Sequence, residues 1–189
     1  MGHFNHNDHY HPFLLRQLPA NCGRALDVGC GTGAFAGMLA SRCDEVVALD
    51  RSSEILAAAA GPPNVRFVQA DISEYDLGSY DFVSCIASLH HTPFSRTVRR
   101  LRAALRPGGV LAVLGLARPT LADLPHGAIA FLPNRIRIAL APPRDDSPVP
   151  PIKDPAMTLR EIRTQAQELL PGARIRRHLY FRYSLIYRA

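Results

Sequence analysis

At 189 residues the chain can bury one core, and 47% hydrophobic against 20% charged residues describe a globular protein, not a disordered one. Its apolar runs fall short of the roughly 20 residues that span a bilayer, and its His- and Asn-rich start has neither the basic nor the apolar part of a secretory leader, so a cytoplasmic protein is expected. The net charge of +6 rests on scattered bases, Lys153 being the lone lysine among 22; without aromatic-basic interleaving they read as a solvated surface, and nucleic acid is disfavoured as a partner.

In chain order, residues 1–23 turn from polar to amphipathic, and Phe13, Leu14, Leu15 and Leu18 make a short helix that Pro19 ends. His3, His6, His9 and His11 crowd this segment beside Tyr10, but alternate spacing is poor ligand geometry. A lid over a ligand is expected, and no metal. From Arg24 short apolar runs alternate with helical stretches, the pattern of βαβ units on a parallel sheet. Strands are expected at 25–28, 45–49, 65–69, 82–87 and 110–114, and helices near 34–41, 53–60 and 95–105. In the last helix Val98, Leu101 and Leu105 form one buried stripe, which leaves Arg96, Arg99, Arg100 and Arg106 as a wet face. Cys22, Cys30, Cys43 and Cys85 have no C-x-x-C pair and no regular spacing, so free thiols are expected.

Beyond the fifth strand Pro119, Pro125 and Pro133 interrupt apolar patches over 118–141, read as two short helices of an inserted cap. Six prolines across 142–156 make an extended connector, so cap and connector together occupy 118–157. Thr158-Leu159-Arg160-Glu161 fits a capping box, and Leu159, Ile162, Ala166, Leu169 and Leu170 give the following helix its apolar face. Runs at 175–181 and 183–187 are spaced to form an antiparallel hairpin on the sheet edge. The whole reads as a single domain over 1–189.

The stretch Ala25-Leu26-Asp27-Val28-Gly29-Cys30-Gly31-Thr32-Gly33 carries the most information. A strand enters a turn of residues lacking Cβ and leaves as a helix, so a ligand can lie against bare backbone. The next strand ends at Asp50, 17 residues beyond Gly33, where an acid accepts hydrogen bonds from a ribose diol. Gly29-x-Gly31-x-x-Ala34 also satisfies the loose dinucleotide fingerprint, which leaves a nicotinamide reading open. Asp27 weighs against it, since a carboxylate there repels pyrophosphate and favours a cationic ligand. Asp71 follows the third strand and is placed to take an adenine amino hydrogen.

Asp27-Val28-Gly29-Cys30-Gly31-Thr32-Gly33 resembles the first motif of class I S-adenosylmethionine-dependent methyltransferases. Tyr80-Asp81-Phe82-Val83-Ser84 through Ser88-Leu89-His90-His91 is similar to the fourth-strand motif of the branch that methylates small molecules, and Leu105-Arg106-Pro107-Gly108-Gly109-Val110-Leu111 to the family's entry into strand five. The resemblance covers about 24–116. It implies a Rossmann-like seven-stranded, mostly parallel sheet with an antiparallel last strand, helices on both faces, and S-adenosylmethionine as cofactor. It further implies that Gly29, Cys30, Gly31 and Gly33 meet the methionine moiety and Asp27 its ammonium group, while a lid folded over the donor would bring Tyr10 to its carboxylate. Asp50, with Arg51 beside it, would hold the ribose, Asp71 and Ile72 the adenine, and Ile86 the sulfonium end.

The expected reaction is methyl transfer to an O, N or C atom of a small molecule, an in-line displacement that needs alignment and, for a protonated nucleophile, a base. His91, then His90, are the candidate bases, against a local structural role for both; His126 in the cap ranks below them. The Asn-Pro-Pro-Tyr type of signature found with DNA and amide N-methylation is absent after strand four. An apolar cap favours an acceptor with hydrophobic surface, such as a secondary metabolite, and the protein is expected as monomer or homodimer. A donor-binding protein without methyl transfer, or with a non-methylating reaction, is the alternative; an RNA methyltransferase stands behind both.

Overall fold

The computed structural model describes residues 7–120, 154–179 and 181–189. A 3-10 turn at Asp8–Tyr10 leads into α1 (His11–Leu15), β1 (Cys22–Val28), α2 (Ala34–Ala40), β2 (Cys43–Asp50), α3 (Ser53–Ala57), β3 (Val65–Gln69) and β4 (Tyr80–Ile86). A second 3-10 turn at Leu89–His91 precedes α4 (Phe94–Ala103), β5 (Leu105–Leu116), α5 (Leu159–Leu169), β6 (Arg174–Arg177) and β7 (Arg182–Arg188). The strands form one seven-stranded sheet in the order β3-β2-β1-β4-β5-β7-β6. β1 to β5 pair in parallel, and β7 lies antiparallel between β5 and β6. The Rossmann-like sheet with a reversed last strand is therefore present, and the closing hairpin sits on the edge with β6 outermost.

Alternation along the strands sends side chains to two cores. Ala25, Val46, Ala48, Phe82, Val110, Ala112, Leu114 and Ile186 pack with Leu14 of α1 and Phe35, Ala36 and Leu39 of α2. Leu26, Val47, Val83, Leu111, Val113 and Leu185 pack on the opposite face with Val98 and Leu101 of α4 and with Ile162, Ala166 and Leu169 of α5. Each fully buried Val, Leu, Ile or Phe among them contributes about 1.5–3 kcal/mol, so the sheet is held from both sides. The 3-10 turn and α1 lie on the α2 face, with Arg182 Nε donating to Asn7 Oδ1 at 3.1 Å.

The capping box forms as expected. Glu161 N donates to Thr158 Oγ1 at 3.3 Å, and Thr158 N donates to Glu161 Oε2 at 2.7 Å. Three expectations need correction. α4 stops at Ala103, and Leu105 already belongs to β5, because Arg106-Pro107-Gly108-Gly109 bulges out between the pairs Tyr80–Leu105 and Phe82–Val110. α3 ends at Ala57, three residues short of the expected end. Two of the four arginines assigned to a wet face are structural. Arg100 donates to the carbonyls of Ile72 (3.0 Å) and Tyr75 (2.6 Å), pinning the turn after β3. Arg106 pairs with Asp81 at 3.0 Å. Burial pushes the Asp81 carboxyl up, but the Arg24 amide and the Arg106 guanidinium outweigh that and hold it below its ordinary value. Most of the expected cap, with its two helices and His126, lies outside the described residues, as do His3 and His6.

Candidate functional site

The carboxyl ends of β1, β2 and β4 converge on the glycine turn. Gly29 N and Cys30 N both donate to the Leu49 carbonyl, at 2.7 and 3.0 Å, and Gly31 N donates to Asp50 Oδ2 at 3.0 Å. The turn after β1 thus hangs from the end of β2. Asp50 serves two masters, its Oδ1 accepting from Ser52 N at 3.0 Å. The amides of Gly29 and Gly31 are engaged inside the protein, so what they offer a ligand is bare main-chain surface.

The three glycines have positive φ and different surroundings. A Cβ on Gly29 would lie 2.4 Å from Ser88 Cβ, and one on Gly33 2.6 Å from the Phe67 ring. A Cβ on Gly31 would meet nothing within 4 Å. The open face of the turn is therefore at Gly31. Cys30 beside it is half-buried, and its thiol is pushed up by burial and by the charges of Asp27 and Asp50.

Asp27 is buried, at 2% exposure, on the same face of the sheet. Its register partner on β4 is Ser84, whose hydroxyl lies 2.7 Å from Asp27 Oδ1 and 3.2 Å from the Leu26 carbonyl. Burial pushes the Asp27 carboxyl up to about 7; the Ser84 hydrogen bond opposes this and the Asp50 charge adds to it. A carboxylate held at this balance ionises readily once a cation approaches. Ser84 was not among the residues singled out from sequence. It stands in the fourth-strand motif with no role of its own assigned, and the register of β1 on β4 brings it to Asp27.

Asp71 is exposed, and its Oδ1 accepts from Ser73 N at 2.7 Å. That bond, with the charges of Arg51 and Arg96, holds its carboxyl below the usual value. Ile72 turns its side chain into the α4–α5 core, while Arg51 is exposed. Ile86 ends β4 half-buried against the α1–α2 core, level with Leu114. Tyr10 packs against that same core, its ring 4.9 Å from the His178 ring. Asp27, Asp50, Ile86 and Tyr10 thus share one face of the sheet.

After β4 the chain bends sharply. Ala87 holds φ at +50°, rare for a residue with a Cβ and strained at a cost of about 1 kcal/mol or more. Ser88 Oγ donates to the Val28 carbonyl at 2.8 Å, tying this bend to β1 just before the glycine turn. His90 and His91 follow in the 3-10 turn, both half-buried, with ring centroids 4.0 Å apart. His11 is buried and faces the Phe35 ring at 4.9 Å; burial lowers its pKa although Asp8 opposes this. Among the described residues no three His, Cys, Asp or Glu side chains form a metal-binding group, and no helix is long and apolar enough to cross a membrane.

The profile of a family described as a methyltransferase domain matches residues 26–113. An uncharacterized methyltransferase of Mycobacterium tuberculosis is 35% identical over 197 residues, spanning 98% of this chain and 97% of the relative. A trans-aconitate 2-methyltransferase of Deinococcus radiodurans is 42% identical over 122 residues, spanning 56% of this chain and 47% of its own length. Among solved structures, an amino pentose methyltransferase of Micromonospora echinaspora with S-adenosylmethionine bound superposes with a TM-score of 0.54 at 30% identity, covering 61% of this chain and 53% of that one.

Proposed function

This chain belongs to the class I S-adenosylmethionine-dependent methyltransferases, and from that premise we propose that it methylates an O, N or C atom of a small molecule. We place it in the cytoplasm as a monomer or homodimer, built as one domain with residues 1–23 as lid and 118–157 as cap and connector. One observation carries the donor assignment: Asp27, Asp50 and Asp71 stand at or beside the tips of β1, β2 and β3, and Gly31, whose amide donates to Asp50, has an open face. A buried acid fits an ammonium group, and an uncovered glycine fits a ligand pressed on main chain.

In this reading Asp27 faces the ammonium group and Tyr10 the carboxylate of the methionine part. Gly29, Cys30, Gly31 and Gly33 floor it, Asp50 and Arg51 take the ribose, Asp71 and Ile72 the adenine, and Ile86 lies by the sulfonium. The cofactor supplies a methyl group whose transfer leaves a neutral thioether. The protein's part is to align the acceptor with that methyl and to exclude water. Where the acceptor atom carries a proton, His91 removes it, with His90 packed on its ring; His126 remains a lesser candidate.

Calorimetric titration with S-adenosylhomocysteine tests the donor site. Formation of that product from S-adenosylmethionine, screened over acidic, aminated and phenolic small molecules, tests the transfer. Binding without turnover on any acceptor would favour the donor-binding alternative, and a stabilisation by NAD in place of S-adenosylhomocysteine would sink the assignment.

A further inference from the structure

β1 and β2 run side by side, and each begins on a cysteine. Cys22 is the register partner of Cys43, and Arg24, whose Nε lies 2.8 Å from Glu45 Oε2, fixes the same register further in. Both side chains enter the α1–α2 core, at 7% and 5% exposure, so they leave the sheet on the same face. Neighbouring strands run about 4.8 Å apart, inside the roughly 4.4–6.8 Å that separates the Cα atoms of a disulfide. Parallel neighbours point their Cβ atoms alike, so reaching a disulfide's Cβ separation of roughly 3.8 Å takes about 1 Å of closure. A strand end yields that more easily than a strand centre. The flanking residues Asn21, Arg42 and Asp44 are exposed, which places the two thiols just below the surface.

The four thiols of the chain are not alike. Burial pushes Cys85 up to about 12, and burial with the charges of Asp27 and Asp50 pushes Cys30 up as well. Cys43 alone is lowered, because the Cys22 thiol donates a hydrogen bond to it, and Cys22 is raised by that same bond. Burial and the charges of Asp81 and Asp44 oppose ionisation of both without reversing the order. Cys43 therefore holds the thiolate and Cys22 the proton beside it, the arrangement of an attacking and a resolving thiol.

We propose that Cys22 and Cys43 are a site of reversible oxidation by a small peroxide, closing to a disulfide that staples the starts of β1 and β2. The Cys43 thiolate attacks one peroxide oxygen, the O–O bond breaks, and hydroxide leaves a sulfenic acid on Cys43. The Cys22 sulfur then attacks the Cys43 sulfur, the S–O bond breaks, and the departing hydroxide takes the Cys22 proton as water. Two thiols are oxidised and one peroxide is reduced to two waters. Asp44 and Asp81 disfavour an anionic oxidant such as glutathione disulfide, whereas a neutral peroxide meets no such repulsion. The staple lies roughly 20 Å from the tip of β1, at about 3.3 Å per residue, so it acts on the stability of the sheet, far from the glycine turn.

The native whole protein is treated briefly with hydrogen peroxide, unfolded, alkylated at its remaining thiols and cut with trypsin. Each cysteine falls on a different tryptic peptide, Cys22 on residues 17–24 and Cys43 on residues 43–51. The expected product joins those two peptides with loss of two hydrogens, leaves Cys30 and Cys85 alkylated, and reverts with dithiothreitol. The oxidised protein should melt several degrees higher than the reduced one, because the closed loop restricts the unfolded chain. Cys22→Ser and Cys43→Ala should show neither the joined peptides nor the shift. Recovery of both peptides alkylated, sulfinic acid on Cys43 without linkage, or linkage of either cysteine to another chain would overturn the proposal. Linkage without a higher midpoint would overturn the staple. Because the linkage is read on the wild type, a variant that fails to fold leaves the test intact.

Discussion

The Ser84 hydroxyl stands between two acceptors, Oδ1 of Asp27 at 2.7 Å and the Leu26 carbonyl at 3.2 Å, and its one proton serves only one of them at a time. An ionised Asp27 takes that proton. A neutral Asp27 can give its own to Ser84 and release the hydroxyl to Leu26. The protonation of a buried acid is thereby tied to the rotor of its neighbour across the sheet.

Ser84→Ala removes the one side-chain donor to Asp27 among the described residues. The carboxylate should become harder to ionise, and affinity for S-adenosylhomocysteine at pH 7 should fall by about 1–2 kcal/mol, the scale of a hydrogen bond to a charge. Calorimetry at pH 7 and pH 8.5 checks this, with a smaller loss expected at the higher pH. Equal affinity at both would show that Ser84 plays no part.

Asp27 itself titrates near 4 when unfolded and is pushed up to about 7 in the fold by burial. The folded chain therefore takes up this proton as pH falls through about 7, while the unfolded chain waits until about 4. The stability contributed by the neutral acid is complete below about pH 4 and is lost as pH rises through about 7. Thermal midpoints of the ligand-free protein should rise between pH 8 and pH 6 more in the wild type than in Asp27→Asn. His11 and His178, both lowered by burial, pull the other way at acid pH, so the Asn variant is the reference. Donor affinity should run opposite to stability, weakening by up to about tenfold per pH unit below 7, because the ammonium group needs the ion.

Asp50→Ala deprives Gly31 N and Ser52 N of their acceptor at once. Donor affinity should drop by about 1–3 kcal/mol, through loss of the ribose partner and loosening of the glycine turn. Full affinity in this variant would contradict the ribose assignment.

Gly29→Ala and Gly31→Ala should separate stability from binding. The first drives a methyl group into Ser88 and should cost about 1–3 kcal/mol of stability, plus the penalty for positive φ. The second meets open space and should cost only about 1–2 kcal/mol, yet cover the face where the donor lies and weaken binding at least tenfold. Melting curves and titrations on the pair read the two effects apart.

His91→Ala should lower kcat by about 10²–10⁴ on an acceptor that loses a proton, with donor affinity unchanged. His90→Phe keeps a ring against His91 and should retain most of the rate. A kcat within tenfold of wild type in His91→Ala would reduce it to a packing residue.

Most of the sheet was legible because strand and helix periods switch cleanly between 24 and 116, and because glycines and acids stand where strands end. Register was not legible. Cys22 and Cys43, with no spacing to link them, are direct partners at the start of β1 and β2. Ser84 meets Asp27 and Ser88 meets Val28 for the same reason: the offset of two strands decides the contact, and local composition carries no trace of it. Arg100 and Arg106 misled in the opposite sense. On a helical wheel they face water, but a long side chain bends back to cap carbonyls and pair with an acid that the wheel does not contain.

The place of β7 bears on how the molecule assembles. β6 is made before β7 but among the described residues pairs with β7 alone, and the far edge of β5 is matched by residues 182–188. Until those residues arrive, β5 presents an unpaired edge and β6 has nothing to join, so the completing step inserts a strand between two that already exist. Such non-local pairing slows folding and leaves a sticky edge exposed meanwhile. Chains cut short before Arg182 should therefore aggregate, not fold into a smaller version of the same sheet.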